Sequence, residues 1–215
     1  SINLKRFRIL ENLQELDLSN NFIENIDGVK YLPTLIILKA DNNLITDFNF
    51  DGFDSPEEYH KSLKKLSLKN NKLEMLNVLH FKNLRVLRVN DAIELQNLQK
   101  LHKLDELLIN GSYDSNAKQC SEMNYQILRD VVEYNTIKTL NVSNTKINSL
   151  KILKYIALES MFCVFNEIEN FQVLVEDIKF LSNLKRIDLR YNPITISFYF
   201  AGNKRELLNA YYDKE

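Results

Sequence analysis

Histidines and pairs of neighbouring carboxylates, such as Glu57 and Glu58, are the side chains of this sequence that first suggest catalysis. A neutral imidazole is a general base near pH 7, and two carboxylates can act as acid and base or bind a metal ion. The chain contains His60, His80 and His102, and the adjacent acids Glu57 and Glu58. No nucleophile, zinc-binding spacing or glycine-rich phosphate loop accompanies them. We therefore predict that the protein is not an enzyme and that it uses no metal or cofactor.

The two cysteines, Cys120 and Cys163, indicate the redox environment rather than a reaction. Two cysteines are too few for a disulfide framework, and these two are too far apart for a zinc knuckle. Cys163 lies at a core position of the pattern described below, which predicts a buried, inert thiol, whereas Cys120 is predicted to be a free surface thiol. No signal-peptide pattern is present, so we predict an intracellular location. Glycosylation triplets at Asn110 and Asn141 are a weak argument for the opposite.

Composition limits the classes of partner. The chain has 215 residues, 45% of them hydrophobic, which is enough to form a substantial core. The net charge is -1, so the whole molecule is not an electrostatic partner for nucleic acid or an anionic membrane. Any charged binding surface must therefore come from local clustering of side chains.

One apolar pattern recurs along the chain. In "LQELDLSNNFIENIDGVKYLPTL", residues 13–35, apolar residues stand at offsets 0, 3 and 5, asparagine at offset 8 and an aliphatic residue at offset 10. Copies of this frame, counted from offset 0, are spaced 20 to 33 residues apart. Their eight starting residues are Leu13, Leu35, Leu63, Leu84, Leu104, Ile137, Leu158 and Leu184.

The change of period within each copy has a structural explanation. Alternating leucines predict a short strand with one buried face, and the slower spacing that follows predicts a helical or 3-10 return segment. The asparagine at offset 8 is expected to be buried, so its amide must bond the bend and the neighbouring coil. The asparagine is replaced in three copies by Ala92, Ser112 and Thr145. Because one unit cannot bury its apolar face alone, the units are expected to stack into a solenoid.

This pattern resembles the leucine-rich repeat family, and the short unit ending "IENIDGVKYLPTL" is similar to its short intracellular subclass. The resemblance implies an α/β solenoid, a right-handed superhelix with a curved parallel sheet on its concave face. It also implies an inserted helix over Tyr125–Tyr134 and a C-terminal cap over residues 190–215. The subclass includes a regulatory subunit of type-one protein phosphatase, the spliceosomal A-prime protein and centriolin-like spindle-pole scaffolds.

The same pattern predicts the domain organisation. We expect residues 1–215 to form one repeat domain, and the position of the insertion allows two sub-blocks, 1–136 and 137–215. Residues 1–12 match only the second half of a repeat, because Leu4, Phe7 and Leu10 align with the return segment of the next copy. This mid-repeat start suggests a domain excised from a longer chain.

Binding residues are expected at offsets 2, 4, 6 and 7, where side chains face solvent. Lys39, Lys65, Lys69 and Arg88 would form a basic stripe on neighbouring strands, spaced about 5 Å apart. We interpret this stripe as a site for an acidic or phosphorylated segment of a partner. The alternative is an ordinary solvated surface, balanced by nearby aspartates that comprise Asp17, Asp41 and Asp91.

An aromatic patch is expected towards the C-terminal end of the array. It combines Phe162, Val164 and Phe165 with Tyr191, and Arg186 and Arg190 would form a cationic rim. Aromatic residues and arginine are typical of binding hot spots, and exposed apolar clusters usually mark contacts. The alternative is that the insertion or the C-terminal tail covers this patch.

The leading functional hypothesis is a non-enzymatic scaffold that holds a protein partner on the concave face. The fungal spindle-pole scaffold of the mitotic exit or septation network, which is similar to centriolin, is the preferred context. The mid-repeat start and the composition rich in Asn, Lys, Phe and Tyr both agree with it. A phosphatase regulator and a spliceosomal repeat protein are the alternatives. The basic stripe and the lack of tryptophan disfavour the phosphatase regulator. No small-molecule substrate or membrane partner is predicted, and the interspersed acids disfavour nucleic acid.

Overall fold

The computed structural model describes residues 9–48, 61–90, 93–111, 113–114, 119–120, 128–129, 131, 137–153 and 157–195. Leu4 and Phe7 of the predicted half-repeat and the C-terminal cap beyond residue 195 lie outside these residues, as does most of the predicted inserted helix. Of that helix, Leu128, Arg129 and Val131 are described and are helical. Within the described ranges, no helix is both long enough and apolar enough to cross a membrane.

The described part of the chain contains twelve short strands. In chain order they are β1 (Glu15–Asp17), β2 (Ile37–Lys39), β3 (Lys65–Ser67), β4 (Met75–Asn77), β5 (Val86–Asn90), β6 (Glu94–Gln96), β7 (Glu106–Asn110), β8 (Tyr113–Asp114), β9 (Gln119–Cys120), β10 (Thr139–Asn141), β11 (Ser160–Phe162) and β12 (Arg186–Asp188). Eight of them form one parallel sheet in the order β1-β2-β3-β5-β7-β10-β11-β12. Each copy of the sequence frame supplies one of these strands.

The leucines of the frame lie on the inner side of this sheet. At offset 3, Leu38, Leu87 and Leu107 are fully buried, and each is paired in register with the offset-3 residue of the next strand. The offset-5 residues Val89 and Ile109 are also fully buried. The prediction of stacked coils around a leucine-rich core is therefore confirmed.

The buried asparagines connect neighbouring coils as predicted. Asn192 is fully buried, and its side-chain nitrogen donates to the carbonyl of Leu189 at 2.9 Å and to that of Cys163 in the preceding coil at 2.7 Å. Its side-chain oxygen accepts from the N–H of Ile168, again in the preceding coil, at 3.1 Å. Thr145, which replaces asparagine in the sixth copy, donates its hydroxyl to the carbonyl of Val142 in its own coil at 2.7 Å and to the side-chain oxygen of Asn166 in the next coil at 3.2 Å.

The return segments are helical in some repeats and extended in others. Three are 3-10 helices, over Asp27–Tyr31, Leu98–Lys100 and Lys151–Leu153. A fourth contains helix α1 (Phe171–Ile178), which begins where the side-chain oxygen of Asn170 accepts two backbone N–H groups.

The return segment of the third copy departs from the expectation of a helical return. There β4 pairs in parallel with β6 in a second, two-stranded sheet. The reason is local alternation: Leu76 and Val78 are buried, while the intervening Asn77 is not. A period of two favours a strand over a helical turn.

A stability difference between two asparagines at offset 8 tests the role of the buried amide. Asn192→Ala removes the hydrogen bonds of the side chain to the N–H of Ile168 and the carbonyl of Cys163, both in the preceding coil, so we expect it to lower the free energy of unfolding by about 2–4 kcal/mol. Asn21→Ala is the matched control, because Asn21 is exposed and bonds only Leu18 and Ser19 of its own coil. We expect its cost to be below about 1 kcal/mol in urea titrations. Equal costs for the two variants would contradict the role assigned to the inter-coil amide.

Candidate binding face

The outward side of the eight-stranded sheet carries the candidate site. Because offsets 3 and 5 point into the core, the side chains at offsets 2, 4 and 6 lie on the opposite side, which we call the sheet face. In-register pairing sorts these side chains into rows that cross the strands. Lys39, Ser67, Arg88 and Leu108 are consecutive partners in the offset-4 row.

The four residues of the predicted basic stripe are neighbours in the structure. Lys39 and Arg88 flank Ser67 in the offset-4 row, on the strands to either side of β3. Lys65 and Lys69 lie two residues before and two residues after Ser67. The cations therefore surround one buried serine rather than forming a single line.

Lys39 differs electrostatically from the other three cations. Its ammonium group lies 3.0 Å from the carboxylate of Glu15 and 3.6 Å from that of Asp17, both on β1. The hydrogen bond and charge of Glu15 raise the pKa of Lys39. Within the described part of the chain, the side chains of Lys65, Lys69 and Arg88 have no hydrogen-bond or ion-pair partner. Their positive charge is therefore available to a ligand.

The aspartates expected to balance the stripe do so only in part. The pKa of Asp17 is lowered, first by the backbone N–H of Ser19 and further by Lys39. One oxygen of Asp41 accepts from the hydroxyl of Ser67 at 2.7 Å and from the backbone N–H of Lys69 at 2.8 Å. Its carboxylate thus holds the bend after β3 and forms no salt bridge with the lysines. Asp91 lies outside the described residues.

A cleft of about 290 Å³ lies between these cations. Lys39, Lys65 and Arg88 line it together with the apolar side chains of Ile37 and Val86. Glu15 and Glu106 border it as well, on the two outermost of its five strands. The sequence analysis did not select the apolar and acidic members of this set. The sequence feature that could have indicated this cleft is the presence of the apolar residues Ile37 and Val86 at offset 2, which faces solvent.

The predicted aromatic patch is only partly on the sheet face. Phe162 and Val164 are half-buried, as expected for offsets 4 and 6. Phe165, in contrast, is only 6% exposed, and its ring stacks on that of Tyr191 at a centroid distance of 4.3 Å. Phe165 was expected to face solvent, and the structure corrects this expectation. Offset 7 belongs to the bend and not to the strand, so alternation does not determine the direction of its side chain.

Both aromatic residues of this stack have left-handed backbone conformations. The φ angles are 56° for Phe165 and 60° for Tyr191, values that bulky side chains rarely adopt. The same offset holds asparagine in other coils, at Asn20, Asn42 and Asn70, with φ between 52° and 59°. Asparagine tolerates this conformation well, whereas an aromatic residue must be held there by its surroundings.

The predicted cationic rim contains one paired and one unpaired arginine. Arg190 contacts Asp188 with two nitrogens, Nε at 2.9 Å and Nη2 at 2.6 Å. The hydrogen bond from Arg190 lowers the pKa of Asp188. Arg186 is exposed and, among the described residues, has no ion-pair partner. At this end of the sheet, Arg186 supplies the positive charge that Asp188 does not neutralise.

Comparisons with known proteins agree with this geometry. Residues 11–54 match the family described as Leucine Rich repeats (2 copies). Internalin C2 of Listeria monocytogenes has a similar structure, with a TM-score of 0.60 and 20% identity over 86% of this chain and 74% of that one. The fold is a leucine-rich-repeat solenoid.

Two further leucine-rich-repeat structures are similar at comparable levels. Internalin F of Listeria monocytogenes gives a TM-score of 0.58 at 20% identity, with 85% of this chain and 49% of that chain covered. Human 5T4, a trophoblast glycoprotein, gives 0.59 at 16% identity, with 84% and 71% covered. No curated protein sequence matches this chain. Leucine-rich-repeat folds typically serve as non-enzymatic interaction scaffolds.

Cys163, His80 and His102, the described cysteine and histidine side chains, lie away from the sheet face. Cys163 is fully buried, and burial raises the pKa of its thiol, as expected for an inert core cysteine. His80 and His102 lie in turns of the return segments, while His60 and the side chain of Cys120 lie outside the description. Among the described residues, no group of three or more His, Cys, Asp or Glu side chains could hold a metal ion.

The Asp188–Arg190 pair predicts a dependence of stability on pH. Because the folded pKa of Asp188 lies below 3.8, the pair stabilises the fold above about pH 4, and this contribution is lost as the pH falls through the lowered value. We expect Asp188→Asn to cost less than about 1 kcal/mol at pH 7, as for other surface pairs, and the cost to shrink towards pH 3. Urea titrations of both proteins at several pH values measure it. Arg190→Gln should abolish most of the pH-dependent difference, and a cost that stays constant down to pH 3 would contradict the assignment.

Proposed function

We propose that this leucine-rich-repeat domain is a non-enzymatic scaffold that holds an acidic or phosphorylated segment of a partner protein on its sheet face. The supporting observation is the cleft in which Lys65 and Arg88 have no carboxylate partner among the described residues and lie beside the apolar side chains of Ile37 and Val86. Ile37 is half-buried, whereas Val86 is only 7% exposed, so Ile37 supplies most of the accessible apolar surface beside these two cations. Cations next to apolar surface favour the binding of a ligand that has both an acidic and an apolar group.

A second contact region supports the same function. Phe162 and Val164 provide half-buried apolar surface on β11 and just after it, and the unpaired Arg186 lies on the next strand. Leu108, also half-buried, lies in the offset-4 row with Asn141 between it and Phe162. We infer that a partner which begins in the cleft extends across the sheet towards this apolar region. A long contact of this kind would make use of several coils at once.

The cellular context is a finer proposal. We propose a spindle-pole scaffold in cell-division signalling, supported by the composition rich in Asn, Lys, Phe and Tyr. A phosphatase regulatory subunit and a ribonucleoprotein-associated repeat protein are the alternatives. Fluorescent tagging of the protein in its own cell separates these contexts: a spindle-pole focus supports the first, and an exclusively nuclear speckled signal contradicts it. The intracellular location stays a prediction with the same test.

Nucleic acid is a competing ligand class for the cleft. Two of its lining side chains, Glu15 and Glu106, would repel a phosphate backbone that crosses all five strands. The acidic residues therefore favour a protein segment of mixed charge. Retention of the protein on heparin at moderate salt would count against this choice.

Charge reversal in the cleft tests the proposed function. The double variant Lys65→Glu, Arg88→Glu should lose captured partners by about tenfold or more in affinity purification followed by quantitative mass spectrometry. Reversal of the exposed lysines Lys100 and Lys151, which lie in 3-10 helices of the return segments, is the matched control and should retain them. A partner set that does not distinguish the two double variants would remove the cleft from the interface.

Truncation of the apolar region is an independent test. Phe162→Ala removes an aromatic contact on the sheet face, so we expect partner affinity to fall by about 1–2 kcal/mol. Calorimetric titration with a captured partner measures the change. Val173→Ala, at an exposed position of helix α1, is the control and should bind normally. Unchanged affinity of the folded Phe162→Ala protein would exclude this residue from the contact.

A further inference from the structure

The offset-2 row of the sheet face has a symmetric chemical pattern. Glu15, Ile37, Lys65, Val86 and Glu106 are consecutive in-register partners on β1, β2, β3, β5 and β7. The row therefore contains, in order, an acid, an apolar residue, a cation, an apolar residue and an acid. Of the two apolar side chains, Ile37 is half-buried and Val86 is 7% exposed. All five residues line the cleft.

The charges at the centre and at one end of this row are available to a ligand. Within the described ranges, neither Lys65 nor Glu106 forms a hydrogen bond or ion pair through its side chain. Glu15 shares Lys39 with Asp17, and its side chain is 55% exposed. In the adjacent offset-4 row, Lys39 and Arg88 add positive charge on either side of the central column. A complementary partner therefore needs an acidic residue in the middle and basic residues at both ends.

The spacing of the row indicates the partner's secondary structure. Neighbouring strands lie about 4.8 Å apart, so the five positions span about 19 Å. Residues on one face of an α-helix recur every three or four positions, an advance of about 5 Å, and four such steps cover about 21 Å. Same-face residues of an extended strand recur about every 6.7 Å, so four steps cover about 27 Å. A helix matches the row, whereas a strand laid along it falls out of phase.

We propose that the partner segment is an α-helix that lies across β1 to β7 and presents a basic, apolar, acidic, apolar, basic stripe at helical spacing. This inference rests on the proposed function and specifies the partner of the same site: the acidic part of the segment is one central residue of the helix, and the residues at both ends of the stripe are basic. The central acid of the helix meets Lys65, with Lys39 and Arg88 at its sides. Its apolar residues cover Ile37 and Val86, and its terminal basic residues meet Glu15 and Glu106.

Synthetic peptides of about 18 residues test this proposal directly. The matching peptide has an alanine and glutamine background with Lys, Leu, Glu, Leu and Lys at positions i, i+4, i+7, i+11 and i+14. A second peptide exchanges the signs of all three charges, and a third keeps the matching pattern but carries two central prolines that break the helix. We expect the 215-residue chain to bind the matching peptide at least about tenfold more tightly than either of the others.

Reciprocal variants of the protein give a second readout that does not depend on absolute affinity. Lys65→Glu should weaken the matching peptide by about tenfold and should be rescued by a peptide with Lys in place of the central Glu. Glu106→Lys should likewise weaken the matching peptide, and a peptide with Glu in place of the terminal Lys that meets Glu106 should restore binding. Glu159→Lys is the control away from the row and should change neither preference.

Several outcomes would overturn the helix proposal. Equal binding of the proline peptide would show that an extended segment fits the row as well. Equal binding of the charge-exchanged peptide, or no binding of any peptide, would show that the row does not select its partner by this pattern. Tighter binding of an RNA oligonucleotide would assign the cleft to nucleic acid. Loss of the helix preference while partner capture still depends on Lys65 and Arg88 would leave the proposed function standing and reject only the helix.

Discussion

The buried asparagine amide at offset 8 is the interaction on which the rest of the structure depends. Each coil must bend sharply inside an apolar interior, where unpaired backbone groups are costly. The side chain of Asn43 resolves this for two coils at once. It donates to the carbonyls of Ala40 in its own coil and Leu18 in the preceding coil, and it accepts from Ile23 in the preceding coil. The same residue that closes one bend therefore fixes the position of its coil against the preceding coil.

Because the coils are held in fixed positions, residues at the same offset of successive copies form rows of side chains across the strands. Residues 20 or more positions apart become neighbours because they share an offset, and the ion pairs at offset 1 show this. Arg85 pairs with Asp105 at 2.8 Å, and Lys185 pairs with Glu159 at 2.7 Å, each between adjacent coils. A mutation at a solvent-facing offset thus changes one position on the surface of the sheet, while the buried leucines maintain the arrangement of the coils.

The sequence was sufficient to predict the strands, the inward leucines and the neighbourhood of Lys39, Lys65 and Arg88, because a period of two determines which side of a strand each residue occupies. It was insufficient at the bends. Phe165 and Tyr191 adopt a left-handed conformation that alternation does not describe, so their stack was missed. The 290 Å³ cleft was missed for another reason. It depends on side-chain size across four strand boundaries, whereas offset counting registers only the direction of each side chain.

The two ends of the sheet face differ in how their charge is used. Towards the C-terminal end, Arg190 is engaged by Asp188 two residues earlier on the same strand segment, so part of the charge is satisfied within one coil. Around β3, the carboxylate of Asp41 instead accepts from the hydroxyl of Ser67 and the N–H of Lys69, and the side chains of Lys65 and Lys69 have no partner among the described residues. An acid that stabilises the backbone cannot neutralise its neighbours as well. The carboxylate that stabilises the bend after β3 therefore does not neutralise the neighbouring lysine side chains, and in the proposed complex a carboxylate of the partner would supply that pairing.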